Sequence, residues 1–74
     1  MDLFITIHDR QKDLDIQLDM STVETYKEAT ITDIDKSTHI CIIYIINNGI
    51  RIEEEFDTIG DRQDRIDELN LYLA

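Results

Sequence analysis

The residues most able to do chemistry in this chain of 74 are its seventeen Asp and Glu side chains, and three sets of them recur at regular spacing. Asp13, Asp15 and Asp19 alternate with Leu14, Ile16, Leu18 and Met20. On an extended strand this places the acids on one face, with neighbours two residues apart separated by about 6.6 Å. Glu53, Glu55 and Asp57 form a second row of period two. Asp61, Asp64 and Glu68 line the outer face of a helix if residues 61 to 74 are helical. Successive phosphates of a DNA strand advance about 3.4 Å along the axis and lie further apart through space. Carboxylate rows at these spacings can therefore stand in for phosphates. Asp13, Asp15, Asp19, Glu53, Glu55 and Asp57 are the expected partner-binding residues.

Other chemistries fit less well. A calcium loop starting at Asp57 would need a ligand where Ile59 stands and a glycine where Arg62 stands. His39 and Cys41 share a strand face, but nothing near them in sequence orients the imidazole, and no glycine-rich loop supplies an oxyanion site. Carboxylates in a solvated row do not acquire the divergent pKa values that acid–base catalysis needs. No phosphate loop or dinucleotide fingerprint occurs. The expectation is a protein that is not an enzyme, with no catalytic residue, no metal and no cofactor.

The acids outnumber seven Lys and Arg, for a net charge of −10. Direct nucleic-acid binding needs basic residues that displace counterions, and anionic membranes repel such a chain. Net charge of magnitude about 2 to 8 suffices to keep a small domain dissolved, so solubility alone does not account for the excess. Disorder is not expected, because fourteen positions are Ile. Length allows a single domain, residues 1 to 74, burying about 60% of its unfolded surface. Asp2 and the short run Leu3 to Ile7 do not make a signal peptide. The longest uncharged apolar run, Ile40 to Ile46, is too short for a membrane span. The lone Cys41 has no internal disulfide partner and reads as a small core residue. These features point to the cytoplasm.

Elements must hold the acids in place. Residues 3 to 7 are β-branched and aromatic and form a strand, residues 9 to 12 a turn, and residues 14 to 20 a half-buried strand that pairs back as a hairpin. Ser21 to Glu24 has capping-box spacing, which predicts a helix from about 22 to 30, although Thr30-Ile31-Thr32 could instead begin a strand. His39 to Ile46 is apolar on both faces and must be an interior strand covered on each side. Asn48-Gly49 predicts a type I′ turn into a return strand, 50 to 56. On that strand Ile50, Ile52 and Phe56 point inward and Arg51, Glu53 and Glu55 outward, while Glu54 on the apolar side suggests a bulge or frayed end. Ile66, Leu69 and Leu73 favour a helix over 61 to 74, and the alternation of Leu69, Leu71 and Leu73 allows a strand. The fold class is α+β: a small antiparallel or mixed sheet of four to five strands with one or two helices. One or two short helices leave part of an apolar face open, and a homodimer would bury it.

The residues carry two family resemblances. The opening Met1-Asp2-Leu3-Phe4-Ile5 and the Ser21-Thr22-Val23-Glu24 segment resemble the ubiquitin-like, β-grasp pattern, with no diglycine at the end to support conjugation. Small size, one domain, high acidity and no catalytic motif resemble the DNA-mimic inhibitors of bacteriophages. That resemblance lies in composition and surface pattern. It implies an inhibitor that occupies the basic surface of a host DNA-binding protein of nucleoid-associated, polymerase, restriction or CRISPR type, acting in the host cytoplasm. The alternative is a ubiquitin-like or antitoxin-like adaptor that binds proteins through its sheet.

Overall fold

The computed structural model describes residues 4–73. They form five strands and one α-helix: β1 (Phe4–Asp9), β2 (Leu14–Asp19), β3 (Val23–Thr32), β4 (Thr38–Ile46), β5 (Ile50–Phe56) and α1 (Ile59–Leu73). The sheet is antiparallel throughout, in the order β2-β1-β5-β4-β3. The α+β class is as expected. Leu3 in the first predicted strand, and Met1, Asp2 and Ala74, lie outside the described residues.

The period-two pattern of residues 14 to 20 produces β2, paired with β1 from Phe4↔Asp19 to Asp9↔Leu14. Burial deepens along it, from exposed Leu14 to buried Leu18 and Met20. The linking turn needs Asp13 at φ 53, a left-handed conformation that Asp tolerates better than most residues.

The predicted helix over 22 to 30 is instead β3. A single 3-10 turn, Met20–Thr22, precedes it. The cap forms one turn early: Asp19 Oδ1 accepts the Ser21 N–H at 2.9 Å and the Ser21 hydroxyl at 2.7 Å. The segment from Val23 to Thr32 is rich in β-branched and aromatic residues, and it fills the open edge of β4 from Val23↔Ile46 to Thr32↔Thr38. Burying a ladder along a nine-residue apolar strand outweighs a local capping signal. The strand, strand, helix order of the ubiquitin-like pattern is therefore not the order of this chain.

The β4–β5 hairpin forms where expected, but with Ile46 opposite Ile50 it has a three-residue loop and not a two-residue type I′ turn. Gly49 takes φ 75 there, which a glycine adopts without penalty. The ladder runs without a bulge to Ile40↔Phe56. Glu54 accordingly sits in the core side of a regular strand, buried, and Ile50 at the turn is exposed.

The final segment is the helix α1, starting two residues earlier than predicted. Thr58 Oγ1 accepts the Asp61 N–H at 3.0 Å and so caps it. Its face of Ile66 and Leu69 packs with Ile5, Ile7, Leu18, Met20, Ile42, Tyr44 and Ile52 in the core. Glu54 is neutralised within that layer. Arg65 donates to it from Nε at 3.2 Å and from Nη2 at 2.9 Å, and the Tyr44 hydroxyl donates to it at 2.6 Å. Burial, reinforced by the Glu54 charge, pushes the Tyr44 hydroxyl pKa far up.

A buried ion pair that loses one partner leaves a charge without compensation, at a cost of about 3 kcal/mol. Arg65→Met should therefore lower unfolding stability by about that amount, and Thr58→Ala by about 1 kcal/mol. Urea unfolding measures both. A loss for Arg65→Met no larger than that for Thr58→Ala would mean that Glu54 is not held by this pair.

Candidate functional site

Cross-strand partners in a sheet point to the same face, so the register sorts the side chains. Ile5, Ile7, Ile42, Tyr44, Ile52 and Glu54 point toward α1. His8, Asp15, His39, Cys41, Ile43, Glu53 and Glu55 point to the other face, which no helix covers among the described residues.

On that open face the ions are organised around Arg10, at the end of β1. Its guanidinium reaches Glu53 at 3.1 Å, Glu55 at 3.6 Å and Asp33 at 3.8 Å. Arg51 holds the second oxygen of Glu53 at 2.9 Å. Glu53, expected outward and free, is 3% exposed, because two arginines close over it. Cys41 and Ile43 are buried on this same face. Lys27 is the cross-strand neighbour of Ile43, and Arg51 that of Ile45, on this face. Burial pushes the Cys41 thiol pKa up.

Each histidine sits between two carboxylates. His8 contacts Asp15 through Nδ1 at 2.7 Å and Asp13 through Nε2 at 3.0 Å. His39 contacts Glu55 through Nδ1, and Asp33 through Nε2 at 2.7 Å. A neutral imidazole donates from only one nitrogen, so both arrangements belong to the imidazolium. The hydrogen bonds raise both pKa values: for His8 that to Asp15 first and Asp13 next, for His39 that to Glu55 first and Asp33 next. With both ring nitrogens of His39 turned to carboxylates, neither faces Cys41 to take a thiol proton.

A further set of carboxylates lies in a groove of about 450 Å³ between the end of β5 and α1; of these, Glu55 and Glu68 are in ion pairs, and Asp57, Asp61 and Asp64 are in none among the described residues. The groove is lined by Glu55, Phe56, Asp57, Asp61, Asp64, Arg65 and Glu68. Five of these seven are carboxylates. Arg65 is already engaged by Glu54 and by Glu68 at 2.9 Å. Asp61, Asp64 and Glu68 succeed one another at three and four residues along α1, advancing about 4.5 and 6 Å per step. The helix row is outward, as expected, with Asp61 and Asp64 exposed, and it flanks the groove beside Asp57 at the end of β5. Among the described residues, no group of three or more His, Cys, Asp or Glu is arranged to hold a metal ion. Residues 59 to 68 are helical, so the calcium-loop spacing from Asp57 does not form a loop.

The six expected residues therefore divide. Asp57 belongs to the groove; Glu55 borders it, with its carboxylate held by Arg10 and His39 on the open face. Asp13 and Asp15 are exposed at the β2 edge of the sheet and hold His8. Asp19 is half-buried and caps the turn after β2. Glu53 is internal. The groove's Asp61, Asp64 and Glu68 had a visible signal, their helical spacing, but only the Thr58-capped turn brings them to Glu55 and Asp57.

No family model, curated protein or solved structure matches this chain. No helix among the described residues is long and apolar enough to cross a membrane.

The histidine clamps set a pH dependence. Both pKa values are raised from the ordinary 6.5, so their stabilisation is complete below that value and is lost as pH rises through the raised ones. Nuclear magnetic resonance titration of the imidazole protons should give midpoints above 6.5 for both, and Asp33→Asn should lower that of His39. A midpoint at or below 6.5 would mean that the double clamps are not populated.

Proposed function

We propose that this chain binds the basic nucleic-acid-binding surface of another protein by charge mimicry and blocks it stoichiometrically. The observation that carries this reading is the separation of its charges. All four arginines are drawn into ion pairs with Asp33, Glu28, Glu53, Glu54, Glu55 and Glu68. The basic groups left for the surface are Lys12, Lys27 and Lys36, none of which lines the groove. The outward field is thus set by acids, concentrated in the groove around Asp57, Asp61 and Asp64.

A partner that normally grips phosphates presents Arg and Lys side chains at comparable spacing, and these match a row of carboxylates better than an apolar patch would. Long-range attraction speeds the encounter and weakens as salt screens it over about 10 Å at 0.1 M. The resemblance to bacteriophage DNA mimics supports the same reading, with a host cytoplasm as the site of action. Its partner would be a nucleoid-associated, polymerase, restriction or CRISPR-type protein.

Neutralising the groove tests this. The triple variant Asp57→Asn, Asp61→Asn, Asp64→Asn removes three charges without removing the Arg65 pairs. Immobilised wild-type chain should retain basic nucleic-acid-binding proteins from a bacterial lysate at low salt, and the triple variant should retain at least about fivefold less, as loss of several charge-assisted contacts requires. Equal retention by a variant with an unchanged circular dichroism spectrum would contradict the reading.

A further inference from the structure

The sheet has two edges, β2 and β3. They differ in length and in charge per residue. The β2 edge is six residues long and carries Asp15 and Asp19, with exposed Asp13 beside it. The β3 edge is ten residues long and carries Glu24, Lys27 and Glu28, a sum of −1 in a chain of −10. The helix is polarised the same way. On its β3 side, Asn70 accepts from the Tyr26 hydroxyl at 2.5 Å and Arg62 meets Glu28 at 3.5 Å. The same flank presents exposed Ile59. The carboxylates of the groove lie on the opposite flank. A long strand edge rich in β-branched residues and with a net charge of only −1 is a template for another strand.

We propose that a second copy of this chain pairs antiparallel along the outer edge of β3, about a two-fold axis at Ala29. The axis stands perpendicular to the sheet and joins the two five-stranded sheets into one, with both helices on the same side.

The register is set by two independent constraints. A perpendicular two-fold keeps each face on its own side, so opposed residues must share a face and their numbers sum to an even value. Four registers then pair at least seven residues of β3, centred on Tyr26, Lys27, Glu28 or Ala29. Centring on Tyr26 sets Glu24 against the partner's Glu28. Centring on Lys27 or Glu28 sets that residue against its own copy. Like charges directly opposed destabilise a ladder. Centring on Ala29 pairs residues 26 to 32, with Glu28 opposite the partner's Thr30 and Lys27 opposite the partner's Ile31. The second constraint is the irregularity between Val23 and Thr25. The other three registers run into it, and the Ala29 register avoids it. Arg62 donates to the Ala29 carbonyl at 3.2 Å, which leaves that oxygen a second lone pair.

The test is the association equilibrium, followed by sedimentation at moderate salt. The expected limiting mass is twice 8.7 kDa, or 17.4 kDa. Thr30→Glu opposes Glu28 twice by symmetry and should raise the dissociation constant about tenfold, whereas Thr30→Lys should lower it. Gln17→Glu adds the same charge as Thr30→Glu on the far edge and should change the constant no more than about twofold. Three results would overturn the proposal: a mass of 8.7 kDa at every concentration, a dimer whose constant the Thr30 variants leave unchanged, or equal weakening by Gln17→Glu. If Thr30→Glu alters the circular dichroism spectrum, the opposite shift in Thr30→Lys still decides the register.

Discussion

The pairing of each arginine with sheet or helix carboxylates is the interaction on which the rest of this structure depends. A chain of 74 residues with seventeen acids cannot keep all of them in water and still build a sheet. Three land on buried positions: Asp9 on β1 and Glu54 on β5 under α1, and Glu53 on the open face. Arg65 meets Glu54 on the face under α1, and Arg10 and Arg51 meet Glu53 on the open face, while Asp9 is satisfied by the Gln11 N–H at 3.1 Å. Arg10 lies on the same open face as the buried Cys41 and Ile43, joined to Glu53, Glu55 and Asp33. The two halves of the sheet meet through this arrangement. β1 and β5 share the Asp9↔Glu54 position and a bond from the Arg10 N–H to the Glu53 carbonyl at 2.9 Å.

The acidity of the surface is a consequence of that internal neutralisation. The arginines are engaged by Asp33, Glu28, Glu53, Glu54, Glu55 and Glu68, so Asp57, Asp61 and Asp64 meet little opposing charge. Self-repulsion among them works against the compact state. The histidines offset part of it, because each imidazolium holds two carboxylates that would otherwise repel: Asp13 with Asp15, and Asp33 with Glu55. Asp57, Asp61 and Asp64 have no ion pair among the described residues and line one groove, and in the proposed mechanism that cluster is the binding surface.

Parts of this are legible in the residues. The alternation of Leu14 to Met20 is strict enough to fix β2 and the outward side of Asp13 and Asp15, since a slip of one residue would bury every acid. The apolar run to Ile46, with Gly49 and a second alternating run after it, fixes the β4–β5 hairpin. The last helix is encoded by Ile66, Leu69 and Leu73. The β3 segment defeats a local reading because capping-box spacing at Ser21 is a local signal, while the demand for a strand beside β4 is made by residues up to about twenty positions away. Glu53 escapes its own alternation for a similar reason: the arginine that buries it is 43 residues distant in sequence. The groove joins two rows that are each visible, but their meeting depends on the direction in which Thr58 launches α1, and no spacing encodes that direction.

The most direct measurement of the central claim is displacement by nucleic acid. Proteins retained by the immobilised chain from a bacterial lysate at low salt are challenged with duplex DNA, and then with salt. The account predicts that duplex DNA releases the bound protein, because both ligands occupy one basic surface. Retention that withstands saturating DNA would contradict it, since the chain would then be binding through something other than its resemblance to a row of phosphates.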